Sequence, residues 1–243
     1  MEQSMQQNEL SNNLSKWKYV NRYSDWMYHA YSDYIGKHIF DVGAGIGRMV
    51  SYYLPQAEKV VATDIFQKQV DYMNEVFSEF SAFSARKIDI LKDDLIGYYN
   101  SFDTVLCINV LEHLKDDELA MVRMYELLCK NGYLIIMVPA FQKLFCQMDT
   151  NVSHYRRYDG GVLKKMAQKH KYNVVHNGYF NVLGIIPYYL KGKIKKNTSE
   201  SFSSDLNVYS GKIYNIAASI LEPIEKIFPP HFGLSELIVI QKV

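Results

Sequence analysis

The chain reads as one α/β domain built on a parallel sheet, and three observations predict it. Short apolar, β-rich runs alternate with helical runs through the first two thirds of the sequence. Those runs are almost continuously apolar, as strands covered on both faces should be. A glycine-rich turn follows the first run, at the place where open α/β sheets bind ligands.

The strands are expected at 38–42, 59–63, 85–90, 102–108 and 133–138, with helices between them at 48–54, 67–80 and 116–128. Asp116 suits an N-cap, and Asn131-Gly132 suits the end of that helix. Before the sheet, Tyr23, Trp26, Met27, Ala30, Tyr31 and Tyr34 recur at three- and four-residue spacing, so 16–34 reads as helical with one apolar face. The first fifteen residues are rich in Gln, Asn and Ser and read as loose.

Beyond the sheet's first five strands, 162–170 reads as a helix, 173–180 as a strand and 235–243 as a closing strand. The intervening residues are too many for a plain connection. They hold an apolar run at 182–190, the basic stretch Lys191-Gly-Lys-Ile-Lys-Lys196, a Ser-rich stretch at 198–204 and a helix at 206–228. This divides a single domain into an N-terminal helical segment (1–36), a ligand-binding core (37–180), a helical insertion or cap (181–234) and a closing strand (235–243).

Composition excludes several classes. The 243 residues carry 27 basic and 26 acidic side chains, net +1, with no basic excess to attract nucleic acid. No apolar stretch reaches the length of a membrane span. The N-terminus lacks the basic start and apolar core of a signal peptide. Cys107, Cys129 and Cys146 stand alone, without a C-x-x-C pair, which predicts a reducing cytoplasm rather than a disulfide framework.

The first strand ends in Asp41-Val-Gly-Ala-Gly-Ile-Gly47. Glycine lets the backbone turn sharply and approach a ligand. A dinucleotide fingerprint needs a third glycine where Arg48 stands, and a P-loop needs a Gly-Lys-Ser/Thr that does not follow. The second strand ends in Asp64, a residue type that accepts both hydrogen bonds of a ribose diol or, alternatively, caps a helix. Asp89 ends the third strand and suits an adenine amino group. The fourth ends at Asn109. Three successive polar strand ends therefore point at one edge.

This run of motifs resembles the class I S-adenosylmethionine-dependent methyltransferases. Asp41-Val-Gly-Ala-Gly-Ile-Gly47 looks like the family's D/E-x-G-x-G-x-G loop. Phe102-Asp-Thr-Val, Asn109-Val-Leu-Glu-His113 and Gly132-Tyr-Leu-Ile-Ile136 look like its fourth and fifth strands. The resemblance implies a seven-stranded Rossmann-like sheet in the order 3-2-1-4-5-7-6, with the last strand antiparallel. It also implies an S-adenosylmethionine site made by Asp41, Gly43, Ala44, Gly45, Asp64, Ile65, Asp89, Ile90, Asn109 and Tyr23. A narrower likeness lies in Asn21-Arg-Tyr-Ser-Asp-Trp26, Ser153-His-Tyr-Arg-Arg-Tyr158, Tyr179-Phe-Asn-Val-Leu-Gly184 and Pro229-Pro-His-Phe-Gly233. These resemble bacterial methyltransferases encoded with, or fused to, cell-surface glycosyltransferases, where a glycine commonly stands in place of Ser153.

Methyl transfer needs a close acceptor lone pair and, for a hydroxyl or protonated amine, a base. No metal-ligating cluster of recognisable spacing occurs, so the seven histidines come first. His154 lies in the loop after the fifth strand and is expected to touch the acceptor. His113, after the fourth strand, is the other candidate base, or else a support for the cofactor. Arg156 and Arg157 offer paired donors for a phosphate or carboxylate, or partners for Asp149 or Asp159. Tyr155 and Tyr158 join them on the acceptor side. Tyr19, Tyr23 and Trp26 either lid the cofactor or pack as core.

The expected function is methyl transfer from S-adenosylmethionine to an oxygen or nitrogen of a small-molecule, glycan or lipid-linked acceptor, leaving S-adenosylhomocysteine. The alternatives are a non-catalytic S-adenosylmethionine-binding regulatory or scaffolding protein, and a nicotinamide oxidoreductase, which Arg48 disfavours. The apolar residues of 182–190 with Lys191, Lys193, Lys195 and Lys196 suit anionic headgroups, so 182–196 predicts a peripheral contact with the inner face of a membrane. A cap packed on the sheet, with its lysines in solvent, is the plainer arrangement.

Overall fold

The structure is a computed structural model and describes residues 21–190, 192 and 208–243. The loose start, Tyr19, the lysines of the basic stretch (Lys191, Lys193, Lys195 and Lys196), the Ser-rich 198–204 and the first residues of the helix expected at 206–228 lie outside the described residues.

The strands are β1 (His38–Val42), β2 (Lys59–Asp64), β3 (Phe83–Lys87), β4 (Phe102–Ile108), β5 (Leu128–Pro139), β6 (Asn173–Phe180) and β7 (Ser235–Gln241). They form one seven-stranded sheet in the order β3-β2-β1-β4-β5-β7-β6. β1 to β5 pair in parallel, and β7 runs antiparallel between β5 and β6. This is the order that the motif run implies. The helices are α1 (Asn21–His29), α2 (Val50–Tyr53), α3 (Gln67–Val76), α4 (Asp117–Leu127), α5 (Gln147–Asn151), α6 (Val162–Lys169), α7 (Ile185–Tyr189) and α8 (Val208–Ile227).

Alternation along the strands builds two cores, one on each face of the sheet. In β4, Val105 and Cys107 enter one core and Leu106 the other, all with no exposed surface. Both faces are covered, so the strand reads as continuously apolar. Asp116 caps α4 by accepting from the Leu119 N–H at 3.0 Å, as its position before the apolar run predicts.

Several boundaries differ from expectation, three of them with a local cause. The helix expected to end at Asn131-Gly132 stops at Leu127, and β5 begins at once. Asn131 instead takes a left-handed turn (φ 66°) inside β5, beside a register shift opposite Phe102 and Thr104. β3 ends at Lys87, short of Asp89, because the Asp89 carboxylate turns back to accept from the Leu91 N–H at 3.0 Å. α2 is one turn only, since Pro55 follows and the chain tightens into a 3₁₀ turn.

The insertion before β7 is helical. α1 packs against its α8, with Arg22 Nη2 3.1 Å from Glu222 Oε2, and Trp26 lies 4.5 Å from the Phe180 ring. The described part of the N-terminal segment therefore docks on α8 and the end of β6.

Candidate active site

The carboxyl ends of β1, β2 and β4 open onto one cleft of about 860 Å³, within the usual range for small-molecule sites. Gly43 stands at the mouth of β1 with φ 67°, a conformation that glycine adopts without strain. A Cβ there would sit 2.5 Å from Val110 Cγ2, so the turn also needs the missing side chain. Gly45 (φ 62°) differs, because a Cβ would meet nothing within 4 Å. Its surroundings leave room for something other than protein.

Asp64 closes β2 and faces this cleft. Its carboxylate accepts from the Gly45 N–H at 3.1 Å and the Phe66 N–H at 2.9 Å. Burial raises its pKa, while the amides of Phe66, Gly45 and Ile65 oppose the rise. Two oxygens offer about four lone-pair sites, so acceptor capacity remains for a diol. Ile65, half exposed, lies beside it on the cleft wall, and Asp89, Ile90 and Asn109 line the same space. Burial would raise Asp89, but Lys92 (2.8 Å) and the Leu91 amide hold it below the usual carboxylate range. Asn109 holds a left-handed backbone (φ 55°), which asparagine tolerates better than most residues.

Asp41 is placed otherwise. It does not line the cleft, and its Oδ2 accepts from the Tyr53 hydroxyl at 2.6 Å inside the tyrosine-rich core. Burial pushes it to about 7; the Tyr53 bond pulls down and Asp64 pushes up. Ala44 serves the loop's backbone, its N–H donating to the Thr63 carbonyl at 2.8 Å.

The opposite wall carries His113 and Tyr155. Behind His113 stands a buried polar network. The Asp149 carboxylate lies 3.0 Å from His154 Nδ1 and 2.7 Å from Arg157 Nε, and accepts from the Tyr188 hydroxyl at 2.7 Å and the Cys146 N–H at 2.9 Å. Burial alone would raise Asp149, but these partners bring it to about 2. Arg157 stacks over the Tyr188 ring at 4.1 Å and donates to the Ala140 carbonyl. His154 Nε2 lies 3.8 Å from Glu112 Oε1. Burial pushes Glu112 to about 8, and burial with His154 nearby lowers His113 to about 4.

The expected acceptor-side residues thus separate. His113 and Tyr155 reach the cleft, and His154 stands one layer back with its side chain 14% exposed. Arg156 pairs with Asp117 at 2.7 Å and Arg157 with Asp149, so both guanidiniums hold the protein's own carboxylates. Tyr158 is buried and donates to Asp117 at 2.8 Å. Ala140 and Tyr158 form a parallel β-bridge, so Tyr158 lies alongside the chain just past β5. Tyr23 and Trp26 pack with Phe180, away from the cleft lining. Sequence reasoning missed Asp149 as the hub and Glu112 as a buried acid. The available signals were the adjacency of Glu112 to His113 and of Asp149 to the His154 loop.

Comparison with known proteins agrees with this architecture. Residues 40–134 match the family model described as a methyltransferase domain. An uncharacterized methyltransferase of Schizosaccharomyces pombe is 29% identical over 108 residues, covering 42% of this chain and 38% of that protein. Phosphoethanolamine N-methyltransferase 1 of Zea mays is 27% identical over 126 residues, covering 51% of this chain and 25% of that protein. The matched stretch thus spans well under half the length of either relative. The structure of geranyl diphosphate C-methyltransferase from Streptomyces coelicolor, which contains S-adenosylhomocysteine, superposes with a TM-score of 0.61 at 10% identity, covering 89% of this chain and 77% of that one. The sheet order and this superposition show the fold of the class I S-adenosylmethionine-dependent methyltransferases.

Proposed function

We propose that this chain transfers the methyl group of S-adenosylmethionine to an oxygen or nitrogen of a small-molecule, glycan or lipid-linked acceptor. The observation that carries the reading is the convergence of Gly43, Asp64 and Asn109, from the ends of β1, β2 and β4, and of Asp89, from the turn after β3, on one cleft whose far wall is His113 and Tyr155. Asp64 holds the ribose diol. Ile65 and Ile90 pack the adenine, and Asp89 accepts from its amino group. Asn109 and His113, across the cleft from the glycine loop, would hold the methionine end. The acceptor's lone pair then forms the new bond to the methyl carbon. The carbon–sulfur bond would break with its electrons staying on sulfur to leave a neutral thioether, and the acceptor's proton would pass to a base or to water.

In this reading His113 and Tyr155 touch the acceptor, while His154, Arg156, Arg157 and Tyr158 act from behind them. The direct test is calorimetry of S-adenosylmethionine with the parent protein and Asp64→Ala. Removing the charge-assisted bond should lower affinity by roughly tenfold to a hundredfold, or about 1.4 to 2.8 kcal/mol. Unchanged affinity in a folded variant removes Asp64 from the site. Tight binding with no S-adenosylhomocysteine formed against glycan and lipid-linked acceptors favours the non-catalytic alternative.

A second reading concerns location, and we infer a peripheral contact with an anionic membrane. Ile216, Ile220, Ile224 and Ile227 recur along α8 and are all about half exposed or more. Ile186, Tyr189 and Leu190 of α7 and its end are exposed as well. The sequence places four lysines directly after them, and an apolar face with adjoining cations suits anionic headgroups. No described helix is long and apolar enough to cross a membrane. Sedimentation with anionic vesicles at low salt tests this, and failure to co-sediment removes the contact.

A further inference from the structure

We propose that Glu112, His113 and His154 bind one divalent transition-metal ion of the zinc class, with an open coordination position toward the cleft. The three side chains come from two separate segments. Glu112 and His113 lie on the 3₁₀ turn Leu111–His113 after β4, and His154 follows α5. One ligand atom of each lies within 4.8 Å of the others. The two imidazoles sit 4.6 Å apart, nearly perpendicular at 80°, and His154 Nε2 is 3.8 Å from Glu112 Oε1. Zinc bonds nitrogen and oxygen at about 2.0 to 2.2 Å, so tetrahedral ligands stand roughly 3.3 to 3.5 Å apart. Side-chain shifts of about 1 Å close the set.

Two independent features point to a cation rather than to plain packing. First, Glu112 is 1% exposed and its Oε2 has no hydrogen-bond partner among the described residues. A buried carboxyl oxygen left unsatisfied is costly. Arg157, the buried cation in the same network, is engaged with Asp149 and the Ala140 carbonyl. Second, both imidazoles are already held by neighbouring groups. His154 uses Nδ1 on Asp149, itself gripped by Arg157, Tyr188 and the Cys146 amide, and His113 bonds the Ser153 backbone. A carboxylate or carbonyl behind each imidazole is how proteins orient histidine ligands. This leaves His154 Nε2 facing Glu112.

Three protein ligands with a free fourth position are the arrangement of catalytic rather than structural zinc. Of the three ligands His113 lines the cleft, beside Ser153 and Tyr155, so the open position is proposed on that side. An acceptor hydroxyl bound there would lose its proton to water and present an oxyanion to the methyl group. That use of the ion rests on the methyl-transfer reading; the ion site itself does not.

The test uses full-length protein stripped by a chelator and then dialysed against Zn²⁺ or Co²⁺. The parent should retain one equivalent, and the Co²⁺ form should show the intense visible bands of a tetrahedral site. Glu112→Gln and His154→Ala should each weaken binding by about tenfold or more, while exposed His38→Ala should not. Circular dichroism confirms that each variant is folded. Folded parent protein retaining less than about a tenth of an equivalent, or both variants binding like the parent, overturns the site. Calorimetry with S-adenosylmethionine on the stripped protein separates the two readings. Cofactor bound without metal retention removes the ion site alone, and metal retained without cofactor binding removes the methyl-transfer reading alone.

Discussion

The two walls of the cleft are built by different means. The wall proposed for the cofactor is made by backbone: a left-handed turn at Gly43 and Gly45, and amides of Gly45 and Phe66 donating to Asp64. Its parts sit at consecutive strand ends, so the sheet places each one separately. The wall proposed for the acceptor is backed by side chains from distant segments, with Asp149 joining His154, Arg157 and Tyr188 behind it. The difference teaches where each wall should fail. Damage to the first should cost ligand affinity, whereas damage to the second should cost the fold, because buried charges are left unpaired.

Removing the hub should give the largest effect. Asp149→Ala strands the buried Arg157 and releases His154, and breaking such a pair typically costs about 3 to 5 kcal/mol. Denaturant unfolding measures it. A destabilisation below about 1 kcal/mol would make the two walls alike.

Asp41 sharpens the comparison, since it opens the glycine loop yet lies buried against Tyr53. Its folded pKa of about 7 exceeds an ordinary aspartate's. Between roughly pH 4 and 7 the folded state therefore keeps a proton that the unfolded state releases, and stability falls as pH rises through that window. Above it the loss is complete. Asp41→Asn should abolish this slope and be more stable than the parent at pH 8 by about 2 to 4 kcal/mol. Thermal melts across pH would show it. An unchanged slope with weakened cofactor binding would return Asp41 to the cofactor wall.

Gly45→Ala should cost about 1 to 2 kcal/mol from the left-handed backbone alone, because the new methyl meets no protein atom within 4 Å. If the cofactor passes there, S-adenosylmethionine affinity should fall by a further measurable factor in calorimetry. Equal affinity in the variant would move the ligand off this turn.

The smallest effect on folding belongs to neither wall. Ile220→Ser on the exposed face of α8 should change unfolding free energy by no more than about 0.5 kcal/mol. Paired with Ile224→Ser, it should nonetheless reduce vesicle co-sedimentation. A large drop in stability would mean that this face is covered by protein.

The sequence by itself determined the sheet and one wall. Apolar periodicity located β4 at Phe102–Ile108 and β6 at Asn173–Phe180, and strand-end polarity brought Asp64, Asp89 and Asn109 to one cleft. These features depend on short windows of chain, where burial pattern and backbone conformation act over a few residues. Only the tertiary structure decided the other wall. Ser153-His-Tyr-Arg-Arg-Tyr158 reads as a row of donors facing a ligand, but docking on β5 turns Arg157 and Tyr158 inward. Arg156 meets Asp117, Arg157 meets Asp149, and His154 meets Glu112 some forty residues earlier in the chain. Which charge a buried side chain finds is set by how distant segments pack, because low polarity makes an unpaired charge too costly and the nearest available partner is chosen in space rather than in sequence.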